Sequence, residues 1–219
     1  MRKGLRGARI EDITAACGLS KGAFYLHFAS KEALFGELVE AFKAATERLG
    51  AERIAELERL FTEHGPMEAR DVAERTERYE RFVALQAEGD VRTLELMWAY
   101  RDVVAVLMSG SQGTEFESLV WRMVEREVER VGQDFHRLQG AHACRLDVPP
   151  EIFGSLVIGT HVLLAQRMSR MEQKPDLEAW ARSLHRLIRE GSLPKKDSPR
   201  RPARARASSR TRSTSRSQS

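Results

Sequence analysis

Apolar residues recur at three- and four-residue spacing along most of the chain, from Ile10 to Gly191. The alternation of β-branched residues that is typical of strands is scarce over the same stretch. A spacing of three and four places side chains on one face of an α-helix, so the segments must be helices that pack on one another. With 42% hydrophobic residues available for a core, the sequence predicts an all-α fold.

Turn and capping signals divide this helical stretch. Side chains suited to N-caps precede helical runs at Ser30, Asp90 and Asp176. Breaks are expected at Cys17-Gly18, Ala29-Ser30, Gly65-Pro66, Glu88 to Asp90, Ser109 to Gly113, Gly140 to Pro150 and Lys174-Pro175. Three regions follow from this division: 1–48, 49–191 and 192–219.

Basic residues are concentrated at the two ends of the chain. Residues 1–31 contain six Lys or Arg against two acidic residues, and residues 192–219 contain nine against one. The middle is acidic, which suits a protein that meets phosphate only through particular segments. Because no large apolar residue follows Leu193, residues 192–219 are predicted to be a disordered basic tail. This tail either adds sequence-independent DNA affinity or is a solvated extension of little effect.

The first region has the pattern of a helix-turn-helix. Ile10 to Cys17 predicts a short helix, Gly18 supplies a left-handed turn, and Leu19 is expected to pack inward. A second short helix begins at Ser20. Its outer face would be small and polar enough to enter a major groove, with residues able to reach bases or phosphates. The residues on this face are Ser20, Lys21, Gly22, Ala23, Tyr25, Leu26 and His27.

Residues 10–34, IEDITAACGLSKGAFYLHFASKEAL, resemble the signature of the tetracycline-repressor (TetR) family almost position by position. The combination of Gly-Leu-Ser-Lys-Gly, Tyr-x-His-Phe and Ser-Lys-Glu-Ala-Leu carries the resemblance. It implies a transcriptional regulator, specifically a ligand-responsive repressor, with an N-terminal DNA-binding domain and a helical body that binds a ligand and dimerises. It also implies that Lys21, Ala23, Tyr25, Leu26 and His27 contact the groove or the DNA backbone, and that Lys31 contacts a phosphate.

Two positions depart from the family pattern. Members normally have a first helix of about four turns over the motif, whereas nine residues precede Ile10 here. We therefore expect that helix to be absent or the start to be misassigned. Its absence would expose Ile13, Ala16, Leu34 and Leu38. The usual capping Ser/Thr pair is replaced by Ala8-Arg9, so Arg9 is expected to contact phosphate through its charge.

The connecting helix is expected at Lys31 to Leu49, and the body behind it offers candidates for a ligand pocket. Bulky Met and aromatic side chains suit an apolar cavity, although most such residues serve as ordinary core. The candidates are Met97, Trp98, Arg101, Met108, Phe116, Trp121 and His161. The implied effector is small and apolar or amphipathic.

The last two helices are the predicted dimer interface, since they hold more apolar surface than a small core requires. The interface candidates are Phe153, Leu156, Gly159, Leu163, Trp180, Leu184 and Leu187. By resemblance, these helices pair with those of a second copy as a four-helix bundle. The two-fold homodimer would bind a pseudo-palindromic stretch of double-stranded DNA, the operator.

Other classes are less well supported. An enzyme would need paired carboxylates or metal-ligand spacing, and the nearest cluster, His136, His142, Cys144 and Asp147, is irregular. We therefore expect no catalytic site, metal or cofactor, and both Cys17 and Cys144 are expected to be buried. No signal peptide or apolar run of membrane-spanning length is recognised, which favours the cytoplasm. A protein-interaction adaptor that has lost sequence-specific DNA binding is the alternative function.

Overall fold

The computed structural model of the chain describes residues 4–193, and within these it contains ten helices and no strand. The all-α prediction is therefore confirmed. The helices are α1 (Gly4–Gly7), α2 (Ile10–Ala16), α3 (Lys21–Tyr25), α4 (Lys31–His64), α5 (Ala69–Glu74), α6 (Glu77–Ala99), α7 (Arg101–Ser109), α8 (Leu119–Gly140), α9 (Pro150–Met168) and α10 (Leu177–Ser192). Apart from Ser192 and Leu193, the predicted tail lies outside the described residues.

Several helix ends follow the capping chemistry that the sequence indicates. The Ser30 side chain accepts a hydrogen bond from the Ala33 amide at 3.1 Å, and Asp176 accepts one from the Ala179 amide at 2.8 Å. Gly18 has a φ of +66°, the left-handed conformation predicted for the turn after α2. These local signals set where α3, α4 and α10 lie in the chain.

Two helices run through positions where the sequence predicted an end. The connecting helix, expected to stop at Leu49, continues to His64, and α6 continues through the Glu88 to Asp90 break. Gly89 has a packing role there, because a Cβ at this position would lie 2.6 Å from Nε of Arg53 on α4. Gly89 thus lets the Arg53 side chain cross between α4 and α6, and Asp90 is a buried helix residue rather than a cap.

A break that the sequence did not indicate separates α6 from α7. Tyr100 lies between the two helices with φ −104° and ψ 15°, and neither Gly nor Pro marks the position. The chain turns here through backbone angles that most residues can adopt.

One apolar cluster joins the N-terminal elements to the body. The Phe35 and Phe116 rings meet edge to face, with centroids 5.1 Å apart, so that α4 packs on the segment before α8. The buried members of this cluster are Leu5, Phe35, Val39, Phe42, Val104, Leu107, Phe116, Val120 and Ala165. The residues nearest the helix-turn-helix therefore share their core with the body.

Helices α8 and α9 approach each other through glycine. A Cβ at Gly154 would lie 2.3 Å from the backbone oxygen of Val128, so only glycine permits this crossing. Next to it the Phe135 and Phe153 rings stack, with centroids 4.0 Å apart. Phe153, a predicted interface residue, consequently packs inside the chain.

A buried ion pair fixes the short segment between α4 and α6. Asp71 accepts hydrogen bonds from the Glu68 amide at 2.8 Å and the Thr76 hydroxyl at 2.7 Å, and its carboxylate lies 2.6 Å from Arg78 Nη2. Burial alone raises the pKa of Asp71, but the hydrogen bonds from Arg78, Thr76 and the Glu68 amide outweigh it and hold this pKa below its usual value.

We expect Asp71→Asn to lower the free energy of unfolding by about 3 kcal/mol, because it leaves the Arg78 guanidinium buried without its counter-charge. Urea denaturation at neutral pH measures this loss. Glu178→Gln is the matched control, since its pair with Arg182 is exposed and contributes about 0.5 kcal/mol or less.

The Asp71 contribution should also depend on pH. Because the pKa of Asp71 is lower in the folded state, its ionised carboxylate stabilises the fold above about pH 4. This stabilisation is lost as the pH falls through the pKa of the folded state. The denaturation curves of the wild type and Asp71→Asn should therefore converge in acid. An unchanged gap below about pH 3 would contradict this assignment.

Candidate nucleic-acid interface and internal cavity

Helices α2 and α3 form a helix-turn-helix whose inner side is filled by two residues. Thr14 and Phe24 are buried between the helices, and the Thr14 hydroxyl donates to the Ile10 carbonyl at 3.0 Å. The Ser20 side chain caps α3 by accepting from the Ala23 amide at 3.1 Å. Because Thr14 and Phe24 fill this space, Leu19 does not pack inward as predicted and is 57% exposed.

The outward side of this segment is a continuous surface that we call the recognition face. Ala23 is partly buried and the other members are exposed, with Leu26 the most exposed at 82%. The face consists of Ser20, Lys21, Gly22, Ala23, Tyr25, Leu26 and His27. The orientation agrees with the sequence prediction, while contact of these residues with DNA remains a prediction.

An ion pair crosses from α2 to the recognition face. Lys21 Nζ lies 2.5 Å from a Glu11 carboxylate oxygen, and both side chains are more than half exposed. The hydrogen bond from Lys21 lowers the pKa of Glu11, and the same bond raises the pKa of Lys21. Lys21 is therefore charged at neutral pH, and an approaching phosphate or base would compete with Glu11 for it.

The structure gives Lys31 a different environment from the predicted phosphate contact. Its Nζ donates to the backbone oxygens of Arg6 at 2.8 Å and Ala8 at 2.9 Å, and only a fifth of its side chain is exposed. Lys31 thus fastens the chain before α2 to the start of α4. Arg9 is exposed at the N-cap position of α2 and makes no capping hydrogen bond with its side chain.

The single turn α1 is anchored to the body, and we call this contact the α1 clasp. The Leu5 amide donates to the Gly110 oxygen at 2.7 Å, and the Leu5 side chain is buried in the shared core. Gly4 has a φ of +60°, and a Cβ there would lie 2.9 Å from the Gly110 oxygen. The clasp holds the N-terminal unit against the segment between α7 and α8.

Residues predicted to be uncovered without a longer first helix differ in exposure. Ala16 and Leu38 are exposed, whereas Ile13 and Leu34 are partly buried. Cys17, predicted to be buried, is also exposed.

A cavity of about 300 Å³ lies within the body, at the lower end of the range for small-molecule sites. Helices α4, α6, α8, α9 and α10 all contribute to its wall. Its apolar lining includes Phe42, Leu49, Leu57, Val83, Met97, Val124, Phe135, Phe153 and Val157. The second half of α4, which the sequence did not predict as helix, supplies part of this wall.

Five side chains from three helices form a polar cluster in the cavity wall. Arg53 on α4 donates to the Thr93 hydroxyl and to the Gln86 amide oxygen, each at 3.1 Å, and lies 3.5 Å from Asp90. The other Asp90 oxygen lies 3.1 Å from His185 Nδ1. The Arg53 charge is therefore matched by Asp90 in a wall that is mainly apolar.

Two of the predicted pocket residues, Met97 and His161, line this cavity. The others have different positions because they complete the core or face outward. Phe116 packs on Phe35, and Met108 lies against the same cluster. The Arg101 guanidinium stacks 4.1 Å above the Trp98 ring, and Trp121 is 54% exposed.

Sequence reasoning missed most of the cavity lining, including the whole polar cluster: Arg53, Gln86, Asp90, Thr93 and His185. The sequence signal for this cluster was the Gly-Asp pair at 89–90 inside a helical pattern. A glycine within a helix is unfavourable for its conformation and can mark a place where another part of the chain approaches closely. Reading that pair as a break placed Asp90 at a helix start.

Part of the predicted dimer interface is an exposed apolar stripe on α9. Leu156 and Leu163 share this side with Gly159 at helical spacing, and Ile152, which was not predicted, extends it by one turn. Leu187 on α10 is also exposed. The remaining candidates are partly buried within the chain: Phe153, Trp180 and Leu184. Dimerisation through the stripe remains a prediction.

The irregular His, Cys and Asp segment has the contacts of a structural loop. Arg145 pairs with Asp147 at 2.9 Å, and burial raises the pKa of Cys144 to about 11. No group of three potential metal ligands occurs in the part of the chain that the structure describes. None of its helices is both long and apolar enough to span a membrane.

The fold and the recognition face define a helix-turn-helix domain on a helical body. The family model of "Bacterial regulatory proteins, tetR family" matches residues 1–38. Over 33 residues the chain is 61% identical to YerO of Bacillus subtilis, an uncharacterised HTH-type transcriptional regulator. Over 48 residues it is 42% identical to DhaR of a Mycobacterium species, an HTH-type transcriptional repressor. These matches cover 15% and 22% of this chain, and 11% and 24% of the two relatives.

Solved structures share the fold over most of the chain. A TetR/AcrR-family regulator of Thermobifida fusca has a TM-score of 0.51 and 21% identity, with 86% of this chain and 89% of that chain covered. NalD of Pseudomonas aeruginosa, the secondary repressor of the MexAB-OprM multidrug efflux pump, has a TM-score of 0.50 and 19% identity, with 88% and 89% covered. The N-terminal residues 1–38 thus match the tetR family of bacterial regulatory proteins, and the fold of the described residues is similar to that of these solved regulators.

The contacts of Lys31 make a testable distinction between holding the α1 clasp and binding phosphate. We expect Lys31→Met to speed hydrogen exchange of the Leu5 amide, since the backbone oxygens of Arg6 in α1 and of Ala8 just after it lose the hydrogen bonds from the Lys31 amine. Lys43→Met is the control on the same helix, because Lys43 pairs with the nearby Glu40 one turn away and not with the segment before α2. Unchanged Leu5 exchange together with weaker DNA binding would instead assign Lys31 to phosphate.

Proposed function

We propose that this protein is a transcriptional regulator that binds operator DNA as a homodimer and releases it when a ligand enters the cavity. The observation that carries the proposal is the recognition face, which is exposed on a capped short helix within a TetR-family motif. Its small residues, Gly22 and Ala23, allow the backbone to approach base edges, and Lys21 and Tyr25 can donate to phosphate or bases.

Helix α4 supports a link between ligand and DNA. It begins beside the helix-turn-helix, and its residues Phe42, Thr46, Leu49, Arg53 and Leu57 line the cavity. An unbroken helix of 34 residues is about 50 Å long and moves as one element. A ligand that changes the packing around Arg53 would therefore tilt the end of α4 that holds the recognition unit. In a dimer, such a tilt changes the spacing of two recognition helices that must fit successive major grooves about 34 Å apart.

A protein-interaction adaptor is the second candidate. The exposed apolar residues Leu19, Leu38 and Leu26 at the N-terminal unit favour it, since a protein partner could cover them. Binding of the purified full chain to the intergenic DNA beside its own gene decides between the two functions. A footprint over a pseudo-palindrome supports the regulator, and equal affinity for that DNA and random duplex supports the adaptor.

The Lys21–Glu11 pair gives a prediction for DNA affinity. Lys21→Ala should weaken binding to all sequences and lower the slope of log affinity against log salt by about one, as expected for a lost phosphate contact. Glu11→Gln should strengthen binding, because it removes the carboxylate that competes for Lys21. Fluorescence anisotropy over a range of salt concentrations measures both effects.

Lys174→Ala is the matched control for this experiment. Lys174 lies 2.5 Å from Glu95 in an ion pair of similar exposure, but it belongs to the segment between α9 and α10. Its loss should leave affinity and salt slope unchanged. A Lys21→Ala variant with the affinity and slope of the wild type would show that α3 is docked differently.

The exposed stripe on α9 gives a prediction for the dimer. We expect Leu163→Lys to convert the dimer to a monomer, since it buries an ammonium group without a partner at the proposed interface. Sedimentation equilibrium measures the assembly state. Leu146→Lys is the control, because Leu146 is also 64% exposed but lies outside the last two helices. If the Leu163→Lys variant is still a dimer, the dimer interface is not the exposed stripe on α9.

A further inference from the structure

The cavity wall contains a buried acceptor that the protein itself leaves unsatisfied. His161 on α9 is 5% exposed, and its Nδ1 lies 2.8 Å from the backbone oxygen of Val157. A carbonyl oxygen only accepts hydrogen bonds, so the hydrogen of the neutral ring is on Nδ1. Nε2 is then an acceptor, and within residues 4–193 it has no hydrogen-bond partner.

The ring of His161 is uncharged at neutral pH. Burial lowers its pKa, and the hydrogen bond to Val157, which acts in the opposite direction, does not restore it. A buried acceptor without a partner costs roughly as much as a lost hydrogen bond. A ligand group that donates to Nε2 would remove this cost.

The charges near His161 are already paired, which limits the kind of ligand that fits. Arg53 is matched by Asp90, and Asp90 also contacts His185. A carboxylate placed at His161 would face the Nε2 lone pair and the Asp90 charge. An ammonium group there would find Asp90 occupied and Arg53 nearby, in surroundings where an unpaired charge is costly.

We propose that the cavity takes an uncharged, largely apolar molecule with a hydroxyl or similar hydrogen-bond donor, and that this donor binds His161 Nε2. The inference rests on the proposed ligand response and names the chemical class of that ligand. The other lining groups agree with it, because they are mainly aliphatic and aromatic side chains.

Two other buried nitrogens in the cavity wall have no hydrogen-bond partner among the described residues 4–193, and one of them favours a competing ligand. These are His185 Nε2 and Arg189 Nε, both on α10. The Arg189 nitrogen is a donor on a charged side chain, so it would attract a carboxylate. A probe that carries a carboxylate therefore tests the competing class directly.

Three naphthalene probes separate these classes: 2-naphthol, 2-methoxynaphthalene and 2-naphthoate. Calorimetric titration of the full chain without DNA gives their affinities. We expect 2-naphthol to bind about three- to tenfold more tightly than the methyl ether, which is the net worth of one buried hydrogen bond. It should also bind more tightly than 2-naphthoate. Equal affinity for naphthol and ether, tightest binding of naphthoate, or no binding of any probe would overturn the proposal.

His161→Phe tests the role of Nε2, because it keeps an aromatic ring and removes the acceptor. The preference for 2-naphthol over the ether should disappear in this variant. Val162→Ala is the control, since Val162 also lines the cavity and its truncation changes size but not polarity. Val162→Ala should weaken the binding of both 2-naphthol and the ether and leave the ratio of their affinities unchanged. A preference that survives His161→Phe would assign the donor to another site, and if this variant does not fold, the wild-type series decides.

Anisotropy of the intergenic DNA with and without 2-naphthol separates this proposal from the proposed function. Hydroxyl-dependent binding that leaves DNA affinity unchanged supports the cavity chemistry and contradicts the ligand response. Release of DNA by all three probes equally supports the ligand response and contradicts the role of His161.

Discussion

The arrangement of the body depends on the contacts that the Arg53 side chain of α4 makes with α6. It lies between α4 and α6 in the space that Gly89 leaves open, and it is held by Gln86, Asp90 and Thr93. A guanidinium in an apolar interior must have a counter-charge and hydrogen-bond acceptors, and α6 supplies both. Because the Asp90 carboxylate also contacts His185, it connects α10 to helices α4 and α6. The cavity exists where these helices are held by polar contacts instead of by close apolar packing.

Local signals were sufficient for the fold class and for the N-terminal unit. These signals determine only the conformation of neighbouring residues, so the sequence alone indicates their effect. They are the helical spacing, the turn at Gly18 and the capping serines Ser20 and Ser30. The end of the connecting helix and the break at Glu88 to Asp90 were wrong for a different reason. Gly89 lies within α6, and the Arg53 side chain from another helix occupies the space where its Cβ would be; such a partner is not visible in a local pattern.

The same limit explains the result for the candidate sites. Bulky Met and aromatic residues predicted the pocket, but Phe116 and Met108 complete the core, and only Met97 and His161 reach the cavity. Residue type alone does not distinguish a wall from a core. For Lys31 the phosphate contact that the motif indicates stays a prediction, and the structure adds two backbone acceptors for its amine that the motif does not indicate. Those acceptors belong to Arg6 and Ala8, whose position depends on the whole N-terminal segment.

The α1 clasp has a consequence for transferring the N-terminal unit to another chain. Leu5 bonds to Gly110, about a hundred positions later, and Phe35 packs on Phe116. A graft that transfers only residues 1–48 would leave these partners behind and would also cut α4 between the recognition unit and the cavity. The transferable piece is therefore discontinuous: it needs the segment from Gly110 to Phe116 together with the N-terminal residues. An exchange of the N-terminal unit would therefore have to replace both segments together.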